Sequence, residues 1–327
     1  MSDDGLVLDV RELSIGVDIS GGTALAAESI SFAIKAGEVF GMVGESGCGK
    51  SICALAIAGL LRPPLRVTAG QALLDGRDIF ALPPGELRAL RGRKIAMIFQ
   101  EPMTALNPLM TVGNQIAEMF VLHEGLSGAE ARRRAVAALA QVQVPSPERR
   151  ARDYPHQLSG GMRQRVMIAI ALACDPALLI ADEPTTALDV TIQAEITDII
   201  LDLCREKGTA VMMISHDLGH VAEICHRVAV MYSGRIVEER RGGQIFNDPR
   251  HPYARGMVAA LPVPGRRLTV GQQKLAEIAG IVPPIGQRPE GCHFAPRCDR
   301  ATDVCRQSVP PVSNLPDGGS VRCFHHD

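Results

Sequence analysis

Val39-Phe40-Gly41-Met42-Val43-Gly44-Glu45-Ser46-Gly47-Cys48-Gly49-Lys50-Ser51 is the stretch whose reading decides the fold, and a helix-forming run from Ile52 to Leu61 follows it. The order is an apolar strand, a glycine-rich loop and a helix. Gly44, Gly47 and Gly49 let the backbone close around an anion with its N–H groups turned inward, and the helix that begins near Lys50 adds its positive end. Lys50 can reach outer phosphates as a mobile point charge, and the Ser51 hydroxyl suits a magnesium ion that bridges two of them. With Glu45, Ser46 and Cys48 filling the remaining positions, the loop reads as a cradle for a polyphosphate. A chance glycine cluster in a strand-to-helix turn is the plain alternative, and the complete spacing between the right flanks argues against it.

Outward from the loop, residues 6 to 40 read as short alternating strands, with Gly21-Gly22 as a hairpin turn and Ile30 to Ile34 as a half-buried strand. Arg62-Pro63-Pro64 stops the first helix, a strand pair follows near Gln71 to Leu74, and a strand over Lys94 to Phe99 delivers Gln100 at its end. Residues 101–160 change character: Val112 to Leu122 and Ala129 to Val142 are helical by spacing, and Ser127 with Glu130 predicts a capping box for the second. Beyond 160 the pattern alternates again: a helix to Cys174, a strand over Leu178 to Ala181, a helix over Ile192 to Lys207 stopped by Gly208, a strand over Ala210 to Ile214, and a hairpin at Ser233-Gly234. Such alternation implies an α/β fold with a parallel sheet and helices on its faces.

Two further stations carry chemistry. The apolar strand Leu178-Leu179-Ile180-Ala181 ends in Asp182-Glu183, and carboxylates at the carboxyl end of a buried strand point at a ligand rather than into the sheet. Asp182 suits the surroundings of the magnesium, and Glu183 is placed to polarise a water for in-line attack on a terminal phosphate. In Leu158-Ser159-Gly160-Gly161-Met162-Arg163-Gln164-Arg165, Ser159 is a good N-cap and two glycines expose backbone N–H groups, which makes a second anion-binding helix start. Taken alone, that segment reads first as an ordinary capped helix with a flexible start.

In combination, GESGCGKS, Gln100, LSGGMRQR, LLIADEP, Ala187-Leu188-Asp189 and Ile214-Ser215-His216-Asp217, in this order, resemble the nucleotide-binding subunit of an ABC transporter over residues 6 to about 245. The resemblance implies a P-loop ABC ATPase: a RecA-like core, an antiparallel β subdomain and a helical subdomain at about 101–160, within an ATPase domain of residues 1–246. It implies ATP and Mg2+ held between two such domains arranged head to tail. The phosphate loop, Asp182, Glu183, Gln100 and His216 of one domain would act with Ser159, Gly160 and Gly161 of the other. In that arrangement His216 touches the terminal phosphate, Gln100 senses magnesium and water, and Asp189 couples the two sites. The family stacks adenine on an aromatic residue where this chain has Thr23-Ala24-Leu25-Ala26-Ala27, which implies looser base recognition. Cys48 stands where serine is also common. A thiol at a helix N-terminus tends to be acidic, so thiol reagents are expected to block activity there and ATP to protect; a small side chain that merely fits is the other reading.

The tail narrows the resemblance. Phe246 to Leu261, followed by Pro262, is similar to the C-terminal extension of oligopeptide, dipeptide and nickel importer ATPases, and Asn107-Pro108 is similar to theirs as well. That resemblance implies di- or oligopeptide cargo, with nickel chelates, opines or glycosides as alternatives. It also implies two transmembrane permease subunits, a second ABC ATPase subunit in a heterodimer or homodimer, and an extracytoplasmic solute-binding protein, with this chain on the cytoplasmic face of the membrane. Residues 247–327 form the extension, which holds Cys292, Cys298, Cys305 and Cys323. Four thiols suit a 4Fe-4S cluster or Zn2+, and free thiols are the third reading; members with this pattern resemble cluster-binding proteins, which favours the cluster.

Composition bounds the alternatives. A net charge of -2 leaves no global basic field, so nucleic acid is not expected as a partner. The longest apolar run, Val166 to Cys174, falls far short of the roughly 20 residues of a spanning helix. The start, Met-Ser-Asp-Asp-Gly, carries no secretory pattern. A soluble ABC ATPase acting on nucleic acid or the ribosome is the competing class. Against it, no long coiled coil separates the phosphate loop from Leu158, and the chain carries one cassette.

Overall fold

The computed structural model describes residues 5–19, 22–185, 189–261 and 277–326. Gly21 of the expected hairpin turn, Ala187, Leu188, Pro262 and Pro264, and the first four residues lie outside the described residues.

Two strands of 14 residues each, β1 (Leu6–Ile19) and β2 (Gly22–Lys35), stand where the sequence reading expects shorter ones. Ile30, Phe32 and Ile34 are buried at alternate positions of β2, as a half-buried strand requires. After β3 (Val39–Val43) comes α1 (Lys50–Ile57), which ends before Leu61 because the chain turns at Ala58 and Gly59 takes φ 66°. β4 (Leu65–Leu74) and β5 (Arg77–Asp78) form a hairpin over Asp75-Gly76, both at positive φ, the Asp-Gly signal of a primed turn.

Then follow α2 (Pro84–Leu90), β6 (Ile95–Ile98), α3 (Pro102–Ala105), α4 (Val112–Glu124), α5 (Gly128–Gln141), α6 (Pro147–Arg150) and α7 (Gly160–Leu172). Ser127 accepts the N–H of Glu130 at 3.3 Å, while the Glu130 carboxylate pairs with Arg133. The later elements are β7 (Leu178–Asp182), α8 (Val190–Lys207), β8 (Ala210–Ser215), α9 (Leu218–Ile224), β9 (Arg227–Tyr232), β10 (Arg235–Arg241), α10 (Gly242–Asn247) and α11 (Pro252–Ala259). In the extension lie α12 (Asp303–Gln307), β11 (Ser313–Asn314) and β12 (Ser320–Val321).

The chain divides into two compact units. The first comprises Met1–Asp9, Ala33–Glu38 and Leu73–Ile214. Its strands β6, β7 and β8 run parallel, in register Ile98↔Ala181 and Asp182↔Ile214. Every residue of β7 is buried, the signature of a parallel strand covered on both faces. In the same unit α4, α5 and α7 pack on one another.

The second unit comprises Val10–Phe32, Val39–Ala72 and Ser215–Asp327. Here β3 lies parallel to β9, with Val43 opposite Val230. β9 turns at Ser233-Gly234 into antiparallel β10, as the sequence predicts. The extension adds β12 against β10, with Glu238 opposite Val321, and then β11 against β12. Where α11 begins, Glu238 of β10, 1% exposed, accepts the N–H groups of Arg250 and His251 at 2.9 and 2.7 Å. The extension is thus tied to β10, whose partner β9 pairs with β3.

Candidate functional site

In the second unit the loop leaves β3 at Gly44, whose φ is +155° and where a Cβ would stand 2.2 Å from the Met231 carbonyl oxygen. Gly49 closes the loop at φ +110°, with a would-be Cβ 3.2 Å from Ala26 O. Only glycine serves at either place. Lys50 is 5% exposed and donates to Gly44 O at 2.7 Å and Glu45 O at 3.1 Å, so its charge sits at the centre of the loop and at the positive end of α1. The tip of the β9–β10 hairpin backs this loop: Gly234 N–H donates to Cys48 O at 2.8 Å, and Glu28 N–H of β2 donates to Gly234 O at 2.8 Å.

Cys48 does not match the expectation of an acidic thiol. Its side chain is 0% exposed, and burial pushes the thiol up, although Lys50 beside it pulls the other way. Desolvation of the thiolate outweighs the helix terminus, and the reading of a small side chain that fits is the one the geometry supports.

Residues of the extension, unmarked by sequence reasoning, meet this loop. The N–H of Glu45 donates to the Tyr253 hydroxyl at 2.9 Å, and the Glu45 carboxylate is gripped by Arg297 at 2.7 and 3.0 Å. Arg288 donates to Leu25 O at 2.6 Å and Ala26 O at 3.0 Å, on the stretch that lacks an aromatic residue. Nδ1 of His293 lies 2.8 Å from Ser233 O at the hairpin tip. The one available signal is the segment Phe246 to Leu261, similar to the importer extension, in which Tyr253 is 0% exposed.

In the first unit, Asp182 ends β7 at 7% exposure and Glu183 follows at φ 47°, a left-handed conformation uncommon outside glycine. The N–H of Glu183 donates to Ile214 O at 3.0 Å, which fixes the turn. Its Oε2 accepts from Gln100 Nε2 at 3.2 Å. The parallel register of β6 and β7 explains the meeting, because both chains leave the same edge of the sheet side by side. A half-buried carboxylate so held, next to a buried aspartate, can orient and polarise a water. At the start of α7, Ser159 accepts the N–H of Met162 at 3.3 Å, and Gly160 has open space around it. Gln164, 1% exposed, donates to Pro184 O at 2.5 Å and ties this helix to the segment that carries Glu183.

Asp189 is exposed at the N-cap of α8. His216 is exposed between Ser215 and Asp217; the Ser215 hydroxyl accepts Asp217 N–H at 3.0 Å, and Asp217 in turn caps α9. The predicted residues therefore divide: Gln100, Ser159, Gly160, Gly161, Asp182, Glu183 and Asp189 belong to the first unit, Gly44 to Ser51 and His216 to the second.

The arrangement of the four cysteines does not by itself bear out the expected metal centre. Among the described residues no group of three or more His, Cys, Asp or Glu side chains is arranged to hold a metal ion. The thiols are nonetheless neighbours. Burial pushes the Cys292 thiol up and the N–H of Phe294 pulls it back, while Cys305 and Cys323 add to the rise. Cys292 N–H donates to Cys305 O at 2.8 Å, and His325 N–H points at Cys323 Sγ at 3.3 Å.

An anion cradle with a fixed lysine and a carboxylate held at a strand end are the two parts that nucleotide hydrolysis requires. Residues 27–186 match the family described as ABC transporter, and residues 237–305 match the oligopeptide/dipeptide transporter C-terminal region. The chain is 49% identical over 320 residues to the probable peptide ABC transporter ATP-binding protein y4tR of Sinorhizobium fredii, covering 98% of this chain and 95% of that one. It is 47% identical over 319 residues to the dipeptide transport ATP-binding protein DppD of Escherichia coli, covering 98% and 96%. Among solved structures, the dimeric ATP-binding cassette MJ0796 bound to ADP and Pi superposes with a TM-score of 0.65 at 30% identity, over 72% of this chain and 98% of that one. The cbiO1 protein of Clostridium perfringens, part of an ABC transporter complex, does so with a TM-score of 0.63 at 30% identity, over 75% and 92%. The chain belongs to the ABC transporter ATPases, in the group that carries the oligopeptide/dipeptide transporter C-terminal region. Among the described residues no helix is long and apolar enough to cross a membrane.

Proposed function

We propose that this ATPase powers the import of di- and oligopeptides. The observation that carries the cargo class is the similarity to peptide-transport ATP-binding proteins, which runs through the cassette and the extension alike, over 98% of the chain. In this reading residues 1–246 are the ATPase domain, 101–160 its helical subdomain and 247–327 the extension. Gly44 to Ser51 would hold the phosphates of ATP, with Lys50 as their cation, and the Ser51 hydroxyl would serve as a ligand of Mg2+, which would neutralise phosphate charge. Asp182 would belong to the surroundings of the same metal, and Glu183 is the base that orients water, held by Gln100. Ser159, Gly160 and Gly161 of a second ATPase subunit close over the nucleotide, His216 contacts the terminal phosphate, and Asp189 links the two sites. Closure of the two ATPases moves a pair of transmembrane permeases that receive peptide from a solute-binding protein outside, so this subunit works at the cytoplasmic face of the membrane.

The test is recovery of the tagged chain from detergent-solubilised native membranes. Two multi-spanning proteins, a second ATPase and a solute-binding protein are expected, and titrating that last protein with dipeptides, oligopeptides, nickel chelates, opines and glycosides assigns the cargo. Recovery of ribosomal or DNA-associated proteins alone overturns the transport reading.

The thiols carry a separate proposal: Cys292, Cys298, Cys305 and Cys323 are ligands of a 4Fe-4S cluster rather than of a single zinc ion. Support comes from the gathering of four thiols in one extension, where Cys305 and Cys323 raise the thiols of Cys292 and Cys298 alike. Iron, sulfide and zinc analysis of the anaerobically purified chain decides; stoichiometric zinc or no metal at all rejects the cluster.

A further inference from the structure

Glu45 is the second residue of the phosphate loop, and three of its groups are engaged. Its carbonyl accepts from Lys50 Nζ at 3.1 Å, its N–H donates to the Tyr253 hydroxyl at 2.9 Å, and its carboxylate receives both arms of the Arg297 guanidinium, Nη1 to Oε2 at 2.7 Å and Nη2 to Oε1 at 3.0 Å. The conformation at Glu45 thus decides where one of the two carbonyls that aim Lys50 points.

Arg297 is built into its place more completely than a surface ion pair. Its side chain is 5% exposed against 32% for Glu45. Beyond the two bonds to Glu45, Nε donates to Ala279 O at 2.8 Å, Nη2 to Ile278 O at 3.1 Å and Nη1 to the Tyr232 hydroxyl at 3.4 Å. All five N–H donors of the guanidinium are therefore used. The group also lies over the Tyr232 ring, 5.7 Å from its centroid. A bidentate pair of this kind fixes geometry as well as charge. The sign matters too, because a free carboxylate in a loop that binds polyphosphate repels the ligand, and Arg297 cancels it.

We propose that Arg297, supplied by the C-terminal extension of the same chain, is a positioning residue of the ATP site. It holds Glu45, and through Glu45 the backbone that aims Lys50, and it neutralises the one carboxylate of the loop. The extension is then part of the nucleotide site. This inference rests on the reading of Gly44 to Ser51 as the phosphate loop.

The test is equilibrium titration of MgATP with the purified full-length chain, each variant first checked by thermal melting. Lys50→Ala is the control for the underlying reading: unchanged affinity there rejects the phosphate loop itself. Arg297→Gln is expected to weaken MgATP about ten-fold. Arg297→Lys, which restores charge without the fork, falls between it and the wild type. Glu45→Ala weakens binding less than Arg297→Gln, because it leaves no unpaired carboxylate beside the phosphates. The double variant matches Glu45→Ala, since the second change has nothing left to release. Should Arg297→Gln melt early, Glu45→Ala still tests the hold from the loop side. A Lys50→Ala loss of binding together with unchanged affinity in Glu45→Ala or in folded Arg297→Gln overturns the proposal, as does a double variant whose effect is the sum of the singles.

Discussion

Replacing Tyr253 with phenylalanine removes one oxygen and leaves every other contact of the ring in place. The ring is 0% exposed, stands 4.7 Å from Tyr232 and 5.5 Å from Phe294 between centroids, and phenylalanine fills the same space. What goes is the acceptor for the N–H of Glu45 at 2.9 Å. An orphaned donor costs about 1–3 kcal/mol, and because Glu45 is half-buried the lower end applies, about 1 kcal/mol. For a chain of this size that lowers the melting temperature by roughly 2 °C. Tyr253→Ala, which also empties the aromatic site, costs about 3–5 kcal/mol. Melting curves rank the two variants, and hydrogen exchange at the Glu45 amide reads the hydroxyl directly, with faster exchange expected in Tyr253→Phe. A Phe variant that melts and exchanges like the wild type would refute the claim that the hydroxyl holds the loop. One as damaged as Tyr253→Ala would refute the assignment of most of the energy to the ring.

Glu183→Gln is expected to bind MgATP normally but to hydrolyse it about 10²-fold or more slowly in the assembled transporter, because the water loses its carboxylate; turnover within a few-fold of wild type removes Glu183 from that role. In the native chain Cys48 and Cys53, both 0% exposed, should resist a thiol reagent that labels the half-buried Cys174, and mass spectrometry of a brief labelling reads the order; prompt modification of Cys48 contradicts the packing. Stability should fall as pH drops below about 6.5. Burial holds the folded-state pKa of His251 near about 3 and of His293 near about 4. The unfolded chain takes up those protons first, so the contribution is complete above pH 6.5 and is lost at up to roughly 1.4 kcal/mol per pH unit for each ring. Urea unfolding at pH 7 and pH 5 measures this, and an equal slope in His293→Gln would show that His293 is not responsible.

Local chemistry was legible in the sequence, and long-range chemistry was not. The phosphate loop announces itself because positive φ and close backbone approach at Gly44 and Gly49 admit one residue type. Ser159 and Ser127 were readable as caps because a cap acts across three residues. The Gln100–Glu183 contact depends on the register of β6 and β7, which no local pattern encodes, although each strand end was found separately. Arg297 and Glu45 lie 252 positions apart, and nothing around Pro296-Arg297-Cys298 marks the arginine as a partner of the loop. Of the two readings open for Cys48, the acidic thiol falls and the small side chain that fits stands, because a helix terminus is visible in sequence and the depth of burial is not. The same limit applies to the four tail cysteines, whose spacing suggests a ligand set but does not fix how closely the sulfurs approach.

The pairing of β12 with β10 has a consequence for the cassette's solubility. A strand whose hydrogen-bonding edge is open is a template for another chain, and β10 would be such an edge without the extension. Instead, Arg322 N–H donates to Val237 O at 2.8 Å, Glu238 and Glu239 face Val321 and Ser320, and the growth of the sheet stops at β11 and β12, each only two residues long. So short a final strand offers an incoming chain almost nothing to pair with. The extension therefore also protects against misassembly, ending a sheet that would otherwise invite a neighbour.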